Sequence, residues 1–322
     1  MKGKILALAV GLGLLAYLVV WADPSKVVGL LGKADLRIIA IGLCLWPVGA
    51  VLRIVRWRYL LKQSGVTVPL GNVAKVFIAG LAISNMTPGK SGDPIRSVLL
   101  KKVAGNNIGL TLPSVIVERA LDVGVMIAFA VAGLSLLIST SMAVWLAAAI
   151  CIYAAVFIAA VVILSSESRA RWTTDRLFAM FSWVPRIRNL KTKLDQFAVD
   201  MHRSFKLYKS LKTLGYATFL SFFIWLYEGI LLWLAFSALG LNVDIFVVVA
   251  MLSAITLIAV LTFLPGGLGS SELLIVSIFT VLFPLSMTDV IAASLLSRFM
   301  GFWIYIGLGA FLIATMRYRY SV

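Results

Sequence analysis

Histidine is nearly absent from this chain: His202 is the only one among 322 residues. A histidine-based metal site or a Ser-His-Asp triad therefore has almost no material to be built from. Cysteine is scarce too. Cys44 and Cys151 both lie inside apolar stretches, where two buried thiols make no disulfide framework. Acidic residues number 13 against 29 Lys and Arg, for a net charge of +16. No phosphate loop, dinucleotide fingerprint or pair of catalytic carboxylates in a soluble domain is visible. Nor is any polar stretch long enough to build a separate core, although the length would allow one or two domains. No cofactor is expected.

What the chain has in abundance is apolar sequence. Hydrophobic residues make up 61% and the mean hydropathy is +1.03, against roughly 45–50% apolar residues in soluble domains. Such a chain cannot cover itself with polar surface, so lipid must be its solvent. In a soluble protein the basic excess would raise nucleic acid as a partner. Here most Lys and Arg lie between apolar segments. The excess reads instead as the positive-inside signal and attraction to anionic lipid headgroups, with no nucleic acid partner. The expected class is an all-α membrane protein, a polytopic helical bundle occupying 1–322 as a single transmembrane domain. Residues 5–21 follow Lys2 and Lys4 as a signal peptide would, but Val20-Trp21-Ala22 is a poor cleavage site and a retained first helix is expected.

A spanning helix needs about 20 mostly apolar residues. Six segments meet that test, at about 4–22, 36–55, 112–138, 142–164, 213–239 and 289–314. Orientation follows from the basic loops. The stretch 52–75 holds Arg53, Arg56, Arg58, Lys62 and Lys75, and 165–212 holds eleven basic residues, whereas 139–141, 240–243 and 284–288 hold none. Both termini, 52–75 and 165–212 are therefore expected in the cytoplasm of a cell (inner) membrane protein. The stretch 23–35 must then lie outside, although it holds Lys26 and Lys33. Residues 165–212 mix charge with Trp172, Phe178, Trp183 and Phe197 and read as an amphipathic connector on the cytoplasmic surface. Trp57, Trp172, Trp183 and Tyr318 read as interfacial anchors.

Two apolar pieces are interrupted. Residues 73–87 run into Pro88-Gly89, and 243–264 run into Pro265-Gly266-Gly267-Leu268-Gly269 before a second piece at 271–283. Fifteen residues of helix reach only ~22 Å of a ~30 Å hydrocarbon core. With the loop assignment above, the pieces become two re-entrant hairpins, about 73–100 and 243–283, entering from opposite faces. That arrangement suggests an inverted repeat.

Non-helical backbone at membrane depth is tolerated only where protein or a water-filled cavity covers it. The Pro-Gly turns therefore mark a candidate site. In each hairpin the second arm starts at the turn, and its helix N-terminus offers partial positive charge and free N–H groups to an anion. Gly89, Gly92, Gly266, Gly267 and Gly269 would let such an anion approach the backbone, or serve only tight turning and close packing. Charged residues sharpen the case: Asp93, Arg96, Glu118, Arg119, Asp122, Glu228, Glu272 and Arg298 lie in or near apolar segments. At about 2.5–3.5 kcal/mol each they cannot all face mid-bilayer lipid. They must face a cavity, pair, or sit near an interface.

Each has a plainer reading as well. Asp93 before Pro94 looks like a helix N-cap. Arg96 is placed to pair with Asp93 or to hold a phosphate. Glu118 and Asp122, four apart, need an intervening cation or proton, and Arg119 beside them is the nearest candidate. Glu272 and Arg298 are placed to form a buried ion pair. Glu228 is a candidate proton carrier or a helix–helix hydrogen-bonding group.

Four motifs together resemble the lysylphosphatidylglycerol synthase transmembrane-region family, also called flippase-like membrane proteins. They are Arg53-x-x-Arg56-Trp57-x-x-Leu60-Leu61, Pro88-Gly89-Lys90-Ser91-Gly92-Asp93-x-x-Arg96, Glu118-Arg119-x-x-Asp122, and Pro265-Gly266-Gly267-x-Gly269-x-x-Glu272. At position 93 the family more often carries glutamate. The resemblance covers nearly the whole chain. It implies a membrane domain that handles lipids or lipid-linked molecules, sometimes fused to a soluble synthase or glycosyltransferase. The sequence ends at Val322 without such a domain, so lipid translocation rather than aminoacyl transfer is the expectation.

The leading expectation is a non-enzymatic flippase for an anionic phospholipid or polyprenyl-phosphate-type lipid. Its phosphate would lie between the turns near Arg96, Arg119 and Arg298, with Asp93, Glu118 and Glu272 balancing the cations or carrying coupling protons. Two alternatives stand beside it: a membrane anchor for a separate synthase or glycosyltransferase, and an intramembrane enzyme using Glu272 and Asp93. Membrane lipids with anionic headgroups are the expected partners.

Overall fold

The structure is a computed structural model that describes residues 2–134, 141–164 and 210–319, with Ser166, Ser168, Arg169, Trp172, Asp175, Arg176 and Tyr208. The connector expected at 165–212 and the end of the expected 112–138 span lie largely outside the described residues. The chain is an all-α membrane protein. Among the described residues the only strand-like pairing is a single bridge between two prolines.

Local signals set the helix ends. Helix α1 (Lys2–Trp21) stops before Asp23, and α2 (Pro24–Gly32) leaves at 84° to it. Asp23 caps α2 by accepting from the Ser25 N–H at 3.2 Å, with Pro24 in the first turn. Asp35 caps α3 (Leu36–Gln63) in the same way, and its own N–H donates to the Ala238 carbonyl at 2.8 Å. That bond ties the start of α3 to the end of α8 (Leu211–Ala238). Between them run α4 (Leu70–Asn85), α5 (Ile95–Ala104), α6 (Ile108–Leu134) and α7 (Ser141–Leu164). The second half continues with α9 (Ile245–Leu261), α10 (Ser270–Leu282), α11 (Met287–Met300) and α12 (Phe302–Arg319). Asp244 caps α9, and a Ser286–Asp289 capping box starts α11.

As far as they are described, the six segments expected as spans are helical, with a break at Gly301 in the last. Of these, α3, α8 and the combined α11–α12 stretch are long and apolar enough to cross a membrane by length and composition. Helices α4, α9 and α10 are apolar but shorter, at 16, 17 and 13 residues. At 1.5 Å per residue each falls short of a ~30 Å core.

Polarity is arranged inside out relative to a water-soluble protein. Val20 is 67% exposed, Phe311 65% and Val144 70%, while Glu118 and Glu272 are fully buried and Arg56 and Arg96 are 1% exposed. An apolar exterior around buried charge is stable only in lipid. Cys44 and Cys151 are free and lie on that exterior, not in the core as expected.

The packing pairs the two halves reciprocally. Helix α3 lies along α8, α4 packs on α12, and α9 packs on α6. Helix α4 also packs on α5, and α9 on α10. The close α3–α8 approach depends on Gly49, where a Cβ would run into the Tyr227 ring.

Three sequence expectations need correction here. The basic stretch after the second span is not a loop: α3 continues to Gln63, carrying Arg53, Arg56, Arg58 and Lys62 within it. Arg53 and Arg56 are buried, because their partners wait on α6 and α8 rather than in the cytoplasm. Trp57 is no interfacial anchor either. It is fully buried and its indole N–H donates to Ser114 Oγ at 3.0 Å.

Candidate functional site

The two Pro-Gly turns meet. Pro88 and Pro265 face each other in an isolated antiparallel bridge, and the Phe263 ring lies against Gly89. Each turn bends through left-handed backbone: φ is 56° at both Gly89 and Lys90, 58° at Gly266 and 63° at Gly267. Gly266 has no substitute, because a Cβ there would sit 2.9 Å from the Asn85 carbonyl and collide with Phe302. Hydroxyls close the turns. Thr87 Oγ1 accepts from the Gly92 N–H at 2.8 Å, and Thr262 Oγ1 lies 3.0 Å from Ser270 Oγ.

Behind the turns the charged residues form ion pairs. Arg56 binds Asp122 through both carboxylate oxygens, Glu118 Oε1 at 2.6 Å, and Ser221 Oγ at 2.6 Å. It is therefore Arg56, not the neighbouring Arg119, that separates the like charges four apart on α6. Arg96 Nη1 lies 2.8 Å from Glu118 Oε2, an ion contact whose angle falls outside hydrogen-bond geometry. Its guanidinium is held between Trp57 and Phe77, at 5.2 and 4.8 Å from the ring centroids. Arg119 Nε lies 3.2 Å from Asp93 Oδ2, and its Nη2 3.4 Å from Asp122 Oδ2. Arg53 pairs with Glu228 and donates to the Gly49 carbonyl at 3.0 Å.

The second turn has its own clamp. Arg298 pairs with Glu272 through Nε, and its two terminal nitrogens donate to the Gly266 and Gly267 carbonyls at 3.2 Å each. Glu272 Oε2 accepts from the Gly269 N–H at 2.7 Å. The start of α10, expected to receive an anion, thus holds a carboxylate of the chain itself. The two halves use the same spacing: the acid after each turn pairs with an arginine twenty-six positions on, Asp93 with Arg119 and Glu272 with Arg298.

A cavity of about 210 Å³ opens beside the turns. Six of the twelve expected site residues line it: Gly89, Arg119, Asp122, Gly266, Gly267 and Arg298. Glu118, Asp93, Arg96, Gly92, Gly269 and Glu272 are not in its wall. Asp93 is not a helix cap, since α5 starts after Pro94 with no side-chain cap and Asp93 reaches across to Arg119. Arg96 neither pairs with Asp93 nor faces the cavity, because Glu118 and two aromatic rings enclose it. Gly92 packs on Thr87 and Ser84, and Gly269 on Gly11 and Leu14 of α1, so both serve close packing.

A model of the lysylphosphatidylglycerol synthase TM region matches residues 4–309. The chain belongs to that family. It is 26% identical over 321 residues to a UPF0104 membrane protein of Methanothermobacter thermautotrophicus, covering 96% of this chain and 94% of that protein. It is 22% identical over 329 residues to the UPF0104 membrane protein PH1989 of Pyrococcus horikoshii, covering 98% and 97%. It is also 23% identical over 315 residues to glycosyltransferase AglD of Haloferax volcanii, covering 88% of this chain and 50% of that protein.

In this family member the sequence reading missed Arg53, Lys90 and Trp225 as cavity-lining residues and Arg56 as the centre of the α6 network. A signal for the arginines was present. After Gly49 the apolar pattern runs on through Arg53 and Arg56 without a turn residue until Ser64-Gly65, which favours helix over loop. Lys90 stands between Gly89 and Gly92 in the first turn, where nothing in its spacing sets it apart from the basic residues that follow it.

Proposed function

We propose that the protein moves a lipid carrying an anionic headgroup across the cell membrane, with the headgroup passing through the cavity between the two Pro-Gly turns. One observation carries this reading: two broken helix units meet at Pro88 and Pro265 beside a cavity lined by both basic and acidic side chains. Arg53, Lys90, Arg119 and Arg298 supply the cationic wall, while the apolar exterior leaves the acyl chains in lipid. The similar placement of the two units supports opposite entry from the two membrane faces, and rocking of one against the other would expose the cavity alternately. The termini would then lie in the cytoplasm, as the basic tail residues favour. Asp93 and Glu272 are each held by an arginine, which speaks against their use as the paired acids of an intramembrane enzyme.

The test is headgroup movement of fluorescent phosphatidylglycerol in proteoliposomes. Wild-type protein should exceed empty vesicles, and Arg298→Ala should fall toward them. Movement no faster than in empty vesicles for every anionic lipid tried would end the proposal.

A second reading, a membrane anchor for a separate glycosyltransferase, draws support from the similarity to AglD over half of that protein's length. Copurification of a soluble enzyme, with no transport by the chain alone, would favour it.

A further inference from the structure

The cavity has an uneven charge account. Around it, five arginines (Arg53, Arg56, Arg96, Arg119 and Arg298) are matched by five carboxylates (Asp93, Glu118, Asp122, Glu228 and Glu272), and every one of these groups is in an ion pair. One cation in the cavity wall is left over. Lys90 is in no ion pair or hydrogen bond among the described residues, Asp93, Asp122 and Glu228 acting on it only at longer range; its ammonium lies 5.9 Å from the centroid of the Trp225 ring. Trp225 lines the same cavity, is itself 7% exposed, and its indole N–H has no hydrogen-bond partner. A buried donor without a partner beside a cation whose nearest carboxylates are all held by arginines is the pattern of a site awaiting an anionic acceptor. Lys90 is also a non-glycine residue held at φ 56° in the turn that meets Pro265, so the fold places it there against its backbone preference.

We propose that Lys90 is the residue that recognises the headgroup, and that the cavity selects headgroups with one negative charge, phosphodiesters, over phosphomonoesters and diphosphates. This rests on the transport reading above and narrows its substrate class. One anionic charge neutralises the leftover cation. A second would be desolvated with no counter-charge, and a zwitterion would bring a cation to a wall already lined with them. The phosphate supplies acceptors both to the Lys90 ammonium and to the Trp225 N–H. Glycerophospholipid diesters and sugar-linked polyprenyl diesters share this chemistry.

The experiment measures binding to the detergent-purified full chain at roughly pH 8, where a phosphomonoester carries close to two charges. The probes are dihexanoyl phosphatidylglycerol, dihexanoyl phosphatidic acid, dihexanoyl phosphatidylcholine, a short-chain mannosyl polyprenyl phosphodiester, and inorganic phosphate as the non-lipid arm. Wild type should bind at least one of the two net-anionic diester lipids about tenfold or more tighter than the other three probes, a difference of the size one charge-assisted contact gives. Which diester binds better identifies the lipid source. Lys90→Gln should lose about tenfold on that diester while Lys90→Arg keeps it. Glu228→Gln, which releases Arg53 as a second unmatched cation, should shift preference toward phosphatidic acid. The proposal is overturned if wild type binds phosphatidic acid, phosphatidylcholine or phosphate as tightly as the better-bound anionic diester, if it binds none of the probes, or if folded Lys90→Gln binds unchanged. Should Lys90→Gln not fold, the wild-type ranking and the Glu228→Gln shift still decide. Headgroup transport measured in parallel separates the two claims: diester selectivity without any transport retains the recognition site and removes the translocation reading.

Discussion

Removing Arg56 should unbalance the α6 network more than any other single change. Its guanidinium lies between Asp122 and Glu118, which stand one helical turn apart and would otherwise repel. Breaking a buried ion pair by deleting one partner costs about 3–5 kcal/mol, because a charge is left without compensation. Arg56→Gln deletes the cation of two pairs at once, and the bond to Ser221 Oγ goes with it. Each acid keeps a second arginine, however: Arg96 for Glu118 and Arg119 for Asp122. The loss should therefore sit near the lower end, about 3 kcal/mol. Arg56→Gln combined with Asp122→Asn restores the charge balance. It should be more stable than the sum of the single changes by about 1–2 kcal/mol. Reversible unfolding in mixed micelles, followed by circular dichroism, measures all four proteins. A single variant within about 0.5 kcal/mol of wild type, or strict additivity of the pair, would refute the claim that these groups form one buried network.

Three further outcomes follow from particular contacts. Arg298→Lys keeps the pairing with Glu272 but not the fork that holds the Gly266 and Gly267 carbonyls, so headgroup transport should fall about tenfold in proteoliposomes. Gly266→Ala forces a side chain into left-handed backbone at about 1–2 kcal/mol and against the Asn85 carbonyl; thermal unfolding in detergent should show clear destabilisation, whereas Gly215→Ala in α8, with open space around it, should be neutral or stabilising. Trp57→Ala empties a fully buried site and breaks the bond to Ser114, for a loss of about 3–5 kcal/mol by the same assay, where an interfacial anchor would lose far less.

The turns were readable from sequence because their cause is local. Proline followed by glycine inside an apolar run ends a helix wherever it stands, and a carboxylate such as Glu272 in apolar surroundings demands a cation, of which Arg298 was the nearest unassigned one. The failures concern partners distant in sequence. Arg56 reaches Asp122, Ser221 and Glu118, and Arg53 reaches Glu228 175 positions away. Neither link leaves a local trace. Basic residues at the end of an apolar stretch satisfy the positive-inside pattern equally well, and that pattern absorbed them. Asp93 failed in the same manner: Asp-Pro is a good local cap, and the competing contact with Arg119 came from another helix. Trp57 was misplaced with Arg53 and Arg56, since reading the helix as ending at 55 moved it to the interface.

The meeting of the two turns is the claim on which transport depends, and a cysteine pair tests it directly. Residues facing each other in an antiparallel bridge have Cα atoms about 4.5–5.5 Å apart, within the range a disulfide spans. Pro88→Cys with Pro265→Cys, in a chain whose Cys44 and Cys151 are replaced by serine, should form an intrachain disulfide on mild oxidation. Headgroup transport should stop in the oxidised protein and return with reductant. No disulfide, or oxidised protein that transports as fast as reduced, would contradict a path between the turns.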